Sequence, residues 1–345
     1  MSQPPPTANA PPSAASIMTQ MVYGFWVSRC LQVTAELGIA DIIGDKPKTV
    51  EELATASGTQ APALRRLLRL LSGLGVMVKD EQTQAWGLTE MGTLLRKDHP
   101  ASMHGLLRAH GLMLSWGAWG ELKSSLTTGE PVVEKLVGET FFEFLGSHPE
   151  DGALFNEAMA AYQLLNAPAV VAAYDFSTAR TIVDVGGGTG TLLAHILQRH
   201  PAARGTIVDM PQVVKQAREK LAAQGLAERC DAVVGDFFTT SPEGQDVYIL
   251  SQILHDWDDD NCLRILKTLR QAMRPDSRLL IVEMVLPGDN AMHFGNLQDV
   301  AMLLLLGGKE RTEPEYAALL GRAGLRISRI FPTSMPPSVV EVVPV

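Results

Sequence analysis

The stretch Asp184-Val185-Gly186-Gly187-Gly188-Thr189-Gly190 decides how this chain is read. It lies where a β-branched run at residues 181–185 gives way to a helix-forming run at residues 191–200. That strand-to-helix turn is where α/β proteins bind their ligands. The dinucleotide fingerprint GxGxxG would need glycine at 191 if counted from Gly186, or at 193 if counted from Gly188; Thr191 and Leu193 stand there. No Lys-Ser or Lys-Thr pair follows the glycines, so a Walker phosphate loop is disfavoured too. What is left is acid-x-Gly-x-Gly-x-Gly. Gly186 and Gly188 offer bare backbone for a ligand to press against, and Asp184 suits a cationic or amino-bearing ligand better than a phosphate.

Outward from this turn, short β-branched runs at 181–185, 206–208, 232–234, 247–250, 279–282, 325–330 and 339–343 alternate with helical ones. The pattern predicts a Rossmann-like, doubly wound α/β domain with a seven-stranded sheet over residues 176–345. Asp209 ends the second strand, nineteen residues past Gly190, an offset that suits a carboxylate accepting from both ribose hydroxyls. After the third strand Asp236 is placed to bond an adenine amino group and Phe237 to pack on the ring. One acid after a strand is usually a turn residue or a cap. Three in succession, at the carboxyl ends of neighbouring strands, converge on one crevice.

Toward the amino terminus, residues 1–16 are rich in Pro and Ala, have no basic or apolar signal segment, and read as a disordered tail. Residues 17–37 have helical composition but are apolar nearly all round, so a second subunit is the expected cover. A Thr-capped helix, a Ser-Gly turn, a second helix, a strand, a wing at 79–83 and a strand at 84–88 predict a winged-helix module over 17–110. Arg65, Arg66 and Arg69 would lie on its groove-entering helix. Residues 1–110 hold ten Lys/Arg against nine Asp/Glu, a net of +1, where a DNA reader needs a strongly basic face, so dimerisation is the favoured role. Residues 111–175 read as a helical linker rich in Trp, Phe and Met that contributes to a substrate pocket.

Composition sets outer bounds. The chain has 345 residues with a formal net charge of −9, which disfavours nucleic acid as the main partner. Its longest fully apolar stretch, residues 300–306, is far short of the ~20 residues that span a bilayer, so no membrane partner is expected. Three cysteines, with no CxxC pair, give neither a disulfide framework nor a zinc site and point to a reducing cytoplasm.

With LSQILHDWDDDNC (250–262), IVEMVLP (281–287) and GGKERTEPEY (307–316), the chain resembles the class I S-adenosylmethionine-dependent small-molecule O-methyltransferases. These include plant phenylpropanoid and flavonoid enzymes and bacterial polyketide and phenazine tailoring enzymes. The resemblance runs from about residue 17 to the carboxyl terminus. It implies S-adenosylmethionine as cofactor, S-adenosylhomocysteine as product, no metal, a homodimer, and a small aromatic acceptor. It also implies that His255 is the general base, that Glu283 and Glu310 flank its imidazole, and that Trp257 packs near the adenine. Ser251 replaces a lysine found in plant members, which leaves only a hydroxyl or backbone contact for the adenosyl group. Met159 and Met302 match positions that sandwich the acceptor, with Trp116, Phe155 and Asn296 as further substrate contacts.

The residues support the base independently. His255 follows strand four and Glu283 ends strand five, so a carboxylate beside the ring would raise the histidine from its ordinary ~6.5 toward a phenol's ~10. Methyl transfer from a sulfonium to a phenolate disperses charge, which a dry crevice favours without a metal. The run from Asp258 to Asp260 reads as a helix N-cap rather than a cation site. Met159, Met302, Trp116 and Trp119 also fit core packing, the commoner fate of such residues at helical spacing. Other readings of the same sequence are N- or C-methylation, a cofactor-retaining relative that does not methylate, and a DNA-binding regulator.

Overall fold

A computed structural model describes residues 13–289 and 291–345 and divides the chain into two compact units, the first ending at Gly111 and the second starting at Leu112. Residues 1–12 of the tail expected to be disordered lie outside the described residues. Ser13 is already an N-cap, accepting from the Ser16 amide, and the first helix is Ala14–Glu36. This helix therefore starts earlier than the 17–37 expected from its apolar run. Its first half leaves Met18, Met21, Val22, Phe25 and Trp26 more than half exposed, while Gln32, Thr34 and Ala35 near its end are buried.

The rest of the first unit is a winged helix. Thr49 and Glu52 form a capping box that starts Val50–Ser57, and Gly58 stops it with a φ of 67°. Ala61–Gly73 follows, burying Leu64, Leu68 and Leu71 on one stripe. Strands Met77–Lys79 and Trp86–Leu88 pair antiparallel around a turn in which Asp80 accepts the Gln82 and Thr83 amides. On the helix that a DNA reader would insert, Arg65 is bonded to Glu51 at 2.8 Å.

In the second unit seven strands form one sheet: β1 (Thr181–Val185), β2 (Arg204–Asp209), β3 (Cys230–Val234), β4 (Val247–Ser251), β5 (Arg278–Glu283), β6 (Leu325–Phe331) and β7 (Ser338–Pro344). Their order is β6-β7-β5-β4-β1-β2-β3, with β7 antiparallel to both of its neighbours and the pairs from β5 to β3 parallel. All seven expected strands are present, six of them longer by one to three residues. Ile182 of β1 packs into a core on one face, with residues of Thr191–Arg199, and Val183 and Val185 into a core on the other, with residues of Asp259–Ala272. A strand buried on both faces is apolar throughout, which is why Asp184 stands out within it.

Two features were not legible as strands. Val285–Leu286 and Arg311–Thr312 form a small parallel pair that fixes Glu310 near the end of β5. The helices after residue 111 also do not form a separate linker. They belong to the second unit, and Pro149–Ala173 contributes Ala167, Val170 and Val171 to the sheet's core.

Candidate active site

The strand order reverses between β1 and β4, because β1 continues to β2 on one side while β4 lies on the other. A crevice opens at the carboxyl ends of the strands at such a point. The glycine loop leaves β1 on one side of it and the His255 turn leaves β4 on the other.

On the β1 side, Gly186, Gly188 and Gly190 all have positive φ. At Gly186 a Cβ would stand 2.5 Å from Ile253 Cδ1, and at Gly190 one would stand 2.4 Å from Ile207 Cδ1. A Cβ at Gly188 would meet nothing within 4 Å, so that backbone faces open space. The Gly188 amide donates to Asp209 Oδ2 at 2.8 Å, and Asp209 Oδ1 accepts the Met210 amide, so this acid also braces the loop. Asp184 is buried with Oδ1 unpartnered; burial, and then the charge of Asp209, push its pKa up to about 7. A buried acid lacking a partner beside bare glycine backbone fits an amino-bearing cofactor. Asp236 is exposed and accepts the Phe238 amide, capping its own turn. Phe237 and Phe238 meet Trp257 edge-on at 6.2 and 4.9 Å, and Phe142 stacks on Trp257 at 6.0 Å. Trp257 and Phe237 are thus brought together.

On the β4 side the chain turns sharply. Gln252 has a φ of 57°, rare for a residue with a side chain, and it starts the short turn Leu254–Asp256. His255 is buried there, with Nδ1 2.7 Å from Glu310 Oε1 and Nε2 3.3 Å from Asp256 Oδ1. Gln298 Nε2 also lies 3.1 Å from Nδ1. Nδ1 thus faces both a carboxylate and an amide nitrogen, and Nε2 faces a second carboxylate. Burial alone would depress the imidazole, but Asp256, then Glu310, then Glu283 outweigh it and push its pKa up to about 10. Gly308 lets the loop bearing Glu310 approach, since a Cβ there would be 2.0 Å from the His255 carbonyl oxygen.

Glu283 differs from the flanking position expected for it. Oε1 accepts the Ile253 and Leu254 amides at 3.0 and 2.6 Å, and Oε2 accepts the Tyr316 hydroxyl at 2.5 Å. It holds the backbone of the turn and makes no hydrogen bond to the ring. Asp256 occupies the second acidic position instead, and being adjacent in HDW it was available to a sequence reading. Ser251 accepts from Gln163 at 2.9 Å. Phe155, Met159 and Gln163 recur every four residues, so one face of Pro149–Ala173 is brought to the end of β4. Met302 is buried one turn beyond Gln298 on Phe294–Leu305. Trp116 is half-buried on Met113–Gly120. Asn296 is not brought to the histidine; it is exposed and bonds the Ala291 carbonyl, and Gln298 takes the polar place beside the ring. Among the described residues no group of three or more His, Cys, Asp or Glu is arranged to hold a metal ion.

Residues 119–326 match the model of the O-methyltransferase domain, and residues 19–98 match that of the O-methyltransferase dimerisation domain. The chain belongs to the S-adenosylmethionine-dependent O-methyltransferase family. It is 44% identical over 331 residues to the phenazine O-methyltransferase PhzM of Lysobacter antibioticus, covering 96% of each chain. Over 343 residues it is 35% identical to the 8-amino-8-demethylriboflavin N,N-dimethyltransferase of Streptomyces davaonensis, covering 98% of each. The crystal structure of LaPhzM superposes with a TM-score of 0.93 at 43% identity, covering 96% of this chain and all of that one. An O-methyltransferase from neocarzinostatin biosynthesis, in complex with S-adenosylmethionine and 2-hydroxy-5-methyl naphthoic acid, superposes at 0.79 with 35% identity, covering 92% and 96%. This family member is an S-adenosylmethionine-dependent methyltransferase of secondary metabolites.

Proposed function

We propose that the protein methylates a phenolic hydroxyl of a small aromatic metabolite of the phenazine, polyketide or flavonoid kind, with His255 as general base, in the cytoplasm and as a homodimer. The observation that carries the base is the 2.7 Å contact between His255 Nδ1 and Glu310 Oε1. It orients the ring, and Nε2 of the neutral imidazole would take the acceptor's proton. The cofactor supplies an electrophilic methyl group on a sulfonium. Asp184, Gly186, Gly188 and Asp209 would hold its amino-acid and ribose portions, and Asp236, Phe237, Ser251 and Trp257 its adenosyl end. Glu310 orients the imidazole, Asp256 and Glu310 raise its basicity, and Glu283 keeps the turn in place. A histidine near pKa 10 is matched to a phenol near ~10, so the proton crosses with little change in free energy. Met159, Met302, Phe155 and Trp116 are the residues we assign to the aromatic acceptor.

The homodimer is supported by the exposed Met18, Met21, Val22, Phe25 and Trp26 of the first helix and by the dimerisation-domain match. Light scattering should give twice the 37.3 kDa of one chain; a stable monomer at micromolar concentration would refute it. Incubation with adenosylmethionine and a panel of phenols, hydroxyphenazines, anthraquinones and flavonoids, read by mass spectrometry, tests the acceptor. N-methylation is the second reading, favoured by the aminoflavin dimethyltransferase among the relatives. Aromatic amines in the same panel separate the two, because products on nitrogen alone would replace the phenol reading.

A further inference from the structure

Behind the glycine loop stands a charge that the site described so far does not use. Lys220, on the helix Pro211–Ala223, donates from Nζ to Thr189 Oγ1 at 3.1 Å and to Thr191 Oγ1 at 2.7 Å. These two threonines bracket Gly190, where the loop becomes a helix. The ammonium is half-buried, its pKa is held below the ordinary lysine value by burial, and among the described residues no carboxylate pairs with it. A cation removed from water without a counter-ion lends a positive potential to the space beside it. Such a space exists: Lys220, Thr189, Gln216, Asn156 and Ala160 line a cleft of about 300 Å³. Glu157 lines it as well. Asn156 and Ala160 each follow by one residue Phe155 and Met159 on the helix whose Gln163 reaches Ser251, so this cleft and the end of β4 share that helix.

We propose that Lys220 is a positioning residue for the cofactor, tying residues 189–191 in place and presenting its positive charge through them to the carboxylate at the methionyl end. The inference rests on adenosylmethionine being the ligand of this loop. Asp184 answers the amino group, and Lys220 answers the opposite charge of the same amino acid. Two threonine hydroxyls would suffice to cap a helix; an uncompensated ammonium held on both of them adds selectivity for an anion.

Calorimetry with two ligands tests this: S-adenosylhomocysteine, and 5′-methylthioadenosine, which has the adenosyl sulfide but no amino-acid end. Lys220→Met and Lys220→Gln should each weaken S-adenosylhomocysteine roughly tenfold while leaving methylthioadenosine within about twofold. Lys220→Arg should restore most of the affinity. Equal losses for both ligands would reduce Lys220 to a brace of the loop and overturn the charge role. Full affinity in Lys220→Gln, which keeps donors without charge, would do the same. A wild-type protein that bound methylthioadenosine and not S-adenosylhomocysteine would also overturn it. One that bound neither would remove the cofactor reading on which it rests. Unchanged circular dichroism shows that the variants are folded.

Discussion

The two walls of the crevice are built on opposite plans. The β1 wall is contiguous: seven residues from Asp184 to Gly190, shaped by positive φ and by backbone amides such as that of Gly188. The β4 wall is assembled from pieces far apart in sequence: the turn at 252–257, Glu283, Gln298 with Asp299, and Gly307 to Arg311. Arg311 joins several of them, with its guanidinium on the Leu254 and Trp257 carbonyls and on Asp259. A wall made of backbone tolerates change at its side chains. A wall made of buried charges transmits every change to its neighbours.

This contrast is best attacked at His255. Replacing it by alanine should cut turnover on a weakly acidic phenol by ~10²–10⁴ while S-adenosylhomocysteine affinity stays within about twofold, as expected of the proposed cofactor site on the other wall. Parallel loss of affinity in calorimetry would show that the walls are not separable. Next in size is Gly308→Ala, which drives a Cβ into the His255 carbonyl and must displace the loop bearing Glu310. Thermal denaturation should show a loss of about 2–3 kcal/mol together with falling turnover. Gly188→Ala, which meets no protein atom, should lose only about 1 kcal/mol from its φ of 58° and weaken cofactor binding instead.

Smaller effects follow from the buried acids. Asp184→Asn should weaken S-adenosylhomocysteine about tenfold above pH 7. Wild-type affinity should itself fall as pH drops below about 7, because the protonated acid no longer attracts an ammonium, whereas the asparagine variant should be flat. Titration calorimetry at several pH values checks both. The smallest effect is a displacement of a profile. Since the imidazole accepts a proton only when neutral, wild-type turnover should climb with pH toward about 10. Asp256→Asn removes the largest of the acidic influences on the ring, so the same limb should move to lower pH by about one unit. An unmoved limb would show that another group governs it.

The sheet was legible because a strand buried on both faces leaves an apolar run that few other structures require, and β1, β4 and β5 have such runs. The β1 wall was legible for a related reason, since only glycine satisfies Gly186 and Gly190 against Ile253 and Ile207. His255 and Glu310 came from resemblance, and the structure supplies the contact between them. The parts that escaped depend on which way a side chain turns. Glu283 lies at the expected strand end but spends its oxygens on backbone amides and Tyr316, which no spacing reveals. Asn296 and Gln298 sit two residues apart on one helix, and rotation about its axis alone decides which of them faces His255. The exposed apolar half of the first helix was anticipated because a helix without a polar face has nowhere to hide within so short a segment.

The grip of Glu283 on the turn has a consequence in time as well as in space. Amides just past a strand end ordinarily trade their hydrogens with solvent quickly, since nothing in a ladder restrains them. The amides of Ile253 and Leu254 instead end on a fully buried carboxylate, which is itself fastened by the Tyr316 hydroxyl. Releasing either hydrogen means withdrawing that carboxylate from its bonds inside the protein, an opening comparable to breaching the sheet. In deuterium exchange these two loop positions should therefore label on the slow clock of β4 and β5. Slow labelling there would mean that the turn bearing His255 is held rigid without any ligand.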